Sequence, residues 1–237
     1  MKQFVKTSQE LFDDLFSLFF PNLCLGCGQP LIRGEEGICS ICHFHLPKTY
    51  FHNDPENPLN KVFWGRVRLE AVAAYLYFQK GSTVQRLLHQ LKYKGKQEIG
   101  FCIGKWYGLE LRQAEIFRDT DMIIPVPLHP HKLRKRGYNQ SQVFAEGLAA
   151  VMTAGLEMHC LYRKIDSKTQ TRKTRYNRWE NVENIFAVRH PEILQDHHVL
   201  LVDDVITTGA TLEACAQALL EIPGIKVSVA TIAYANC

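Results

Sequence analysis

The apolar positions along this chain follow two periods in turn, and the places where the period changes mark its elements. Val199 to Val202 is an unbroken apolar run, the pattern of a strand buried on both faces, as in a parallel sheet. Leu212–Leu220 then takes helical spacing, with a turn of small residues between. Upstream, Val67–Phe78 alternates imperfectly, with Val67, Leu69, Ala71, Ala73, Tyr75 and Tyr77 on one side, and predicts a strand. Helical spacing runs from Ser82, a candidate cap, through Val84, Leu87, Leu88 and Leu91 until Lys92-Tyr-Lys-Gly-Lys96 breaks it. A second helix is predicted over Gln97–Phe117, a short buried strand over Met122–Val126, and a helix over Ser141–Val151. Short strands are expected at Leu161–Ile165 and Phe186–Val188, and a final alternating strand at Lys226–Tyr234. Strands in alternation with helices predict an α/β fold with a mostly parallel sheet and flanking helices.

This pattern assigns 67–237 to one α/β domain. Residues 47–66 hold Pro47, Pro55, Pro58 and Gly65 and read as a linker, which leaves 1–46 as a small N-terminal helix and cysteine module. The first twenty residues place Phe4, Leu11, Phe12, Leu15, Phe16 and Phe19 at amphipathic spacing, interrupted by Glu10, Asp13 and Asp14. That predicts a short helix packed on the body or on a partner, not a signal peptide. Its polar face is acidic, which argues against a membrane surface, and no segment reaches the ~20 apolar residues a bilayer requires. The expected compartment is the cytoplasm.

Composition adds one restriction. The net charge is only +4, so a nucleic-acid argument must rest on local clusters. Of eight cysteines, four form two C-x₂-C knuckles, Cys24/Cys27 and Cys39/Cys42, separated by eleven residues. Knuckles so close can converge four thiolates on one tetrahedral Zn²⁺. Disulfides and redox chemistry are the weaker explanations, the first because of compartment, the second because it needs only one pair. A structural zinc is therefore expected, with His43 and His45 beside it as surface residues.

The turn after the central run carries the chemistry. Two carboxylates, Asp203 and Asp204, are followed by Val205, Ile206, Thr207, Thr208, Gly209, Ala210 and Thr211. In a strand–turn–helix, that turn lies at the carboxyl edge of the sheet, where open α/β folds bind ligands. Helix-start amides favour a phosphate, and Gly209 lets the backbone come close. The carboxylates suit sugar hydroxyls, directly or through Mg²⁺. The joint demand is for a sugar phosphate. An ordinary capped corner would explain Thr207 and Gly209, but not a carboxylate pair and three hydroxyls around one glycine.

Two basic stretches accompany it. Lys132, Arg134, Lys135 and Arg136 lie past the end of the predicted Met122–Val126 strand. Arg163–Glu183 interleaves Arg163, Lys164, Lys168, Arg172, Lys173, Arg175 and Arg178 with Tyr176 and Trp179. Such a loop can close over a diphosphate, stack on unpaired bases, or simply be a solvated insertion, in that order of preference.

From end to end the chain resembles the ComF family of competence-associated proteins. The resemblance rests on the four-cysteine knuckle, Lys92-Tyr-Lys-Gly95, Pro125-Val-Pro-Leu-His-Pro130, Arg136-Gly-Tyr-Asn-Gln140, Gln170 to Asn181 and the Val199–Thr211 signature. It implies a zinc finger on a type I phosphoribosyltransferase fold that binds phosphoribosyl pyrophosphate (PRPP) with Mg²⁺. It also implies a place in DNA uptake during natural transformation, with single-stranded DNA, a DNA helicase and recombination proteins as partners. On that resemblance Asp203 and Asp204 are catalytic, 205–211 bind PRPP, and Pro127, Leu128, Arg134, Arg136, Arg172 and Arg175 meet pyrophosphate or form a lid. The part that selects the acceptor would be the knuckle or Val67–Lys96. One departure is Gln170-Thr-Arg-Lys173, where a cation replaces the family's usual leucine. Two functional classes stay open: a phosphoribosyltransferase, and a non-catalytic single-stranded-DNA adaptor on a retired enzyme fold. PRPP sensing in gene regulation is weaker, because no helix-turn-helix is apparent.

Overall fold

The computed structural model describes residues 20–164 and 185–235. The chain divides into two units, 1–46 and 47–237. The expected N-terminal helix and most of the basic Arg163–Glu183 loop, with Arg172 and Arg175, lie outside the described residues.

The first unit is small. Residues 20–39 run through turns and an isolated bridge between Leu23 and Pro30 into one helix, Ser40–Phe44 (α1). Among its described residues few side chains are buried: Cys24, Ile38, Cys39 and Leu46.

The second unit is built on a five-stranded sheet. Its strands are Val72–Phe78 (β1), Met122–Pro125 (β2), Gly155–Leu156 (β3), His198–Ile206 (β6) and Lys226–Ala235 (β7). They lie in the order β1-β7-β6-β2-β3, every neighbouring pair parallel. Leu161–Arg163 (β4) and Phe186–Val188 (β5) form a separate antiparallel ribbon. β6 is central, and Val199–Val202 have no exposed surface, each worth about 1.5–3 kcal/mol of burial. β6 does not stop at the carboxylates. It runs on through Ile206, with Asp203 opposite Thr231 and Ile206 opposite Tyr234.

β1 begins five residues later than its sequence suggests and is buried without alternation over Val72–Leu76. One cause lies in residues 47–66. Pro47–Thr49 pair against its outer side, with the Tyr77 amide on Pro47 and the Thr49 amide on Tyr75. Asn57, almost wholly buried, donates to the carbonyls of Phe51, Asp54 and Val72 and accepts from the Leu59 amide. A short helix, Asn60–Phe63 (α2), follows, with Leu59 and Phe63 in the core. The stretch that its prolines mark as a linker is therefore folded into the domain.

Helices Thr83–Tyr93 (α3), Glu98–Leu111 (α4), Glu115–Arg118 (α5), Pro130–Arg136 (α6), Gln140–Ala149 (α7) and Ala210–Leu220 (α8) complete the unit. Ser82 caps α3 by accepting the Gln85 amide. The helix expected over Gln97–Phe117 breaks at 112–114 into α4 and α5. The basic run 132–136 is itself a helix, started by Pro130 and ended by Gly137 in the left-handed region at φ 81°. Helices α4 and α7 meet backbone to backbone. A Cβ on Gly104 would lie 2.9 Å from Gly147 Cα, and one on Gly147 would strike the Phe101 carbonyl.

Candidate functional site at the carboxyl end of the central strand

Successive strand side chains point to opposite faces, and the carboxylates of β6 diverge accordingly. Asp203 Oδ1 accepts from Ser141 Oγ at 2.7 Å and from the Asp204 amide at 2.8 Å. Asp204 Oδ2 instead pairs with Lys92 Nζ at 2.9 Å. Burial, followed by the charge of Asp204, pushes the Asp203 carboxyl up to about 7, while Ser141, the Asp204 amide and Lys92 pull it back.

Past Ile206 the turn opens. Thr207 and Thr208 are exposed, and a cavity of about 50 Å³ is lined by Asp203 and residues 205–212. Val205 and Ile206 belong to the strand, and Ile206 is buried. Helix α8 starts at Gly209 with no side-chain cap, so its first amides face the turn. Gly209 takes φ 74°, and a Cβ there would lie 2.8 Å from Val62 Cγ1 and 3.0 Å from the Phe63 ring. On the side where a Cβ would stand, what comes close to Gly209 is therefore α2.

Lys92 joins this site to a basic cavity of about 370 Å³ shared with Tyr93, Gly95, His131, Lys132, Lys135 and Arg136. The Arg136 guanidinium lies 5.3 Å over the Tyr93 ring and donates to Gln140 Oε1 at 2.6 Å. Tyr138 donates to the Leu91 carbonyl and ties the end of α3 to the α6–α7 connection. Arg136 thus reaches the cavity. Arg134, on another side of α6, does not line it, nor do Pro127 and Leu128, which are half-buried just before that helix. Reading Lys92-Tyr-Lys-Gly-Lys96 as a helix break passed over Lys92 as a site residue. The signal was a cation at a helix end before Gly95, which takes φ 70°.

The first unit carries its own cluster. The Sγ atoms of Cys24, Cys27, Cys39 and Cys42 all lie within 4.8 Å of one another, and all four are free thiols. Cys27 and Cys39 are 3.8 Å apart, and a tetrahedron with Zn–S near 2.3 Å has an edge of about 3.8 Å. Burial raises the Cys24 thiol, but the amides of Cys39, Cys27 and Gly26 outweigh it and bring it down to about 6. Burial and the neighbouring thiols push Cys42 far up. Four sulfurs converging at these distances suit a divalent cation such as zinc. Only glycine fits at 26, where a Cβ would meet Cys42 Sγ at 2.9 Å.

A parallel sheet whose central strand carries an acid pair shortly before a hydroxyl turn is the arrangement of the phosphoribosyltransferase class, and residues 139–237 match the phosphoribosyl transferase domain. The whole chain has narrower relatives. It is 31% identical over 228 residues to the DNA utilization protein YhgH of Escherichia coli O157:H7, covering 90% of this chain and 96% of that one. Competence protein F of Haemophilus influenzae is 25% identical over 234 residues, covering 92% and 99%. Competence protein ComFC of Bacillus subtilis is 25% identical over 207 residues, covering 81% of each. The chain belongs to the ComF family of competence and DNA utilization proteins.

Proposed function

We propose that the carboxyl end of β6 binds PRPP or ribose 5-phosphate and that the protein uses this site in handling single-stranded DNA during DNA uptake. One observation carries the reading: the acid pair, the uncapped start of α8 and the Lys92–Arg136 cavity meet at one sheet edge. The amides of 209–211, with the hydroxyls of Thr207, Thr208 and Thr211, receive the 5-phosphate. Asp203 and Asp204 take the ribose hydroxyls, and sugar binding shifts Lys92 from Asp204 toward the diphosphate. Their oxygens suit Mg²⁺, which when bound neutralises charge on the departing pyrophosphate. Lys92 and Arg136 lie where they can share that charge, with Arg172 and Arg175 of the basic loop as its lid.

The four thiolates hold a structural zinc. The names of the relatives, DNA utilization and competence proteins, support the DNA role, and a DNA helicase or recombination proteins are proposed as its partners. A second reading, a non-catalytic adaptor for single-stranded DNA, draws on the ion pair already made by Asp204 and on the Tyr93 ring, which lies exposed among cations.

Calorimetry with PRPP, with and without Mg²⁺ and then with single-stranded DNA, tests both. Metal-dependent binding is expected for the wild-type protein, and its loss in Asp203→Asn/Asp204→Asn. Salt-sensitive DNA binding without any PRPP binding would instead establish the adaptor.

A further inference from the structure

Arg66 stands outside every motif of the sequence, yet it reaches the phosphate turn. Its Nη1 donates to the Val62 carbonyl at 2.9 Å and to the Thr208 carbonyl at 3.2 Å, and its Nη2 pairs with Glu213. Three features of the turn depend on this grip. The Thr208 carbonyl is drawn to Arg66, which orients the peptide joining Thr208 to Gly209. Val62 and Phe63 are held against Gly209, whose left-handed backbone starts α8. Glu213, the acidic residue of the first turn of α8, is neutralised, where its carboxylate would otherwise repel an anion at the helix start.

We propose that Arg66 is a positioning residue for the sugar phosphate: it sets the shape of the 207–209 turn and cancels the charge of Glu213. The proposal rests on the reading that this turn receives a phosphate. It also gives residues 59–66, which the sequence reads as part of a linker, a role at the site.

The test is calorimetry with ribose 5-phosphate on the full chain, at two salt concentrations, with unfolding of each variant followed in parallel. Arg66→Ala is expected to weaken binding about 10- to 100-fold, the size of losing hydrogen bonds to a charged group. Arg66→Lys, which keeps the charge without the fork, is expected to fall between. Arg66→Ala/Glu213→Gln is expected to recover about tenfold over Arg66→Ala, since removing the carboxylate removes the repulsion, and to show a weaker salt dependence. Binding by Arg66→Ala equal to wild type would overturn the proposal. So would a loss that neither Arg66→Lys nor the double variant recovers, because Arg66 would then only prop the fold. If Arg66→Ala does not fold, the comparison of Arg66→Lys with Glu213→Gln decides, with weaker binding expected only in the first. Wild-type protein that does not bind ribose 5-phosphate would overturn the underlying reading, and it shows before any variant is made.

Discussion

The two units solve the same problem, ordering a chain around a small number of chemically demanding groups, by different means. In residues 20–46 four thiols gather in a segment whose other well-buried apolar side chains are Ile38 and Leu46, too few to offset the entropy of ordering it. There the thiol cluster stands in for a core. In residues 47–235 the order is reversed. A sheet buried along its central strands exists first, and the acid pair and the hydroxyl turn are mounted on its edge. A site that is the core fails together with its fold. A site mounted on an independent core can lose its ligand, and its chemistry, while the fold stays.

Metal removal separates the two most sharply. A strong chelator, or Cys39→Ser, is expected to unfold residues 20–46, since structural zinc supplies about 10–16 kcal/mol in comparable small modules. Residues 47–235 should keep their hydrogen-exchange protection; loss of protection in both units together would break the contrast. Next in size is Gly147→Val, which forces side-chain atoms into the Phe101 carbonyl at the α4–α7 contact. Overpacking there should cost about 3 kcal/mol in urea unfolding of the second unit and leave bound zinc unchanged.

Smaller again is a pH effect. His52, with its side chain buried, packs edge-on to Tyr107 at 5.6 Å and lies near Tyr50. Its Nε2 is 3.6 Å from Glu110 Oε2, and Glu110 in turn holds Lys48 at 2.8 Å. Burial lowers the His52 pKa; Glu110 raises it and Lys48 lowers it further, for a net fall. The unfolded chain therefore binds this proton better. Stability from His52 is fully present above its unfolded value of about 6.5 and is lost as pH falls below it. His52→Gln should flatten that slope in urea titrations between pH 7 and pH 5; an unchanged slope would remove His52 from the account.

The sequence reading succeeded where one local pattern carries the whole requirement. Two C-x₂-C pairs, the Val199–Val202 run and the Ser82 cap each describe a structure that needs only nearby residues. It fell short where the partner is remote. The alternation of β1 was misleading because both of its faces are covered over Val72–Leu76, and nothing in Val67–Phe78 announces that cover. Gly100, Gly104 and Gly108 recur every four residues, a seam visible in retrospect, but its counterpart Gly147 lies on another helix. At the site, the acid pair and turn are contiguous and legible. Lys92 and Arg66 arrive from 112 and 147 positions away from Asp204 and Glu213 along the chain, and only folding brings them there.

The pairing of Pro47–Thr49 with β1 also decides where this gene can be cut. A protein begun at Val67, the boundary its prolines suggest, would leave β1 with a row of bare amides and carbonyls along a strongly apolar strand. Such an edge recruits other chains and drives aggregation. With Pro47 retained that side is sealed, and the sheet's other margin is β3, only two residues long. The short proline-rich prelude therefore occupies the edge that another chain would otherwise pair with.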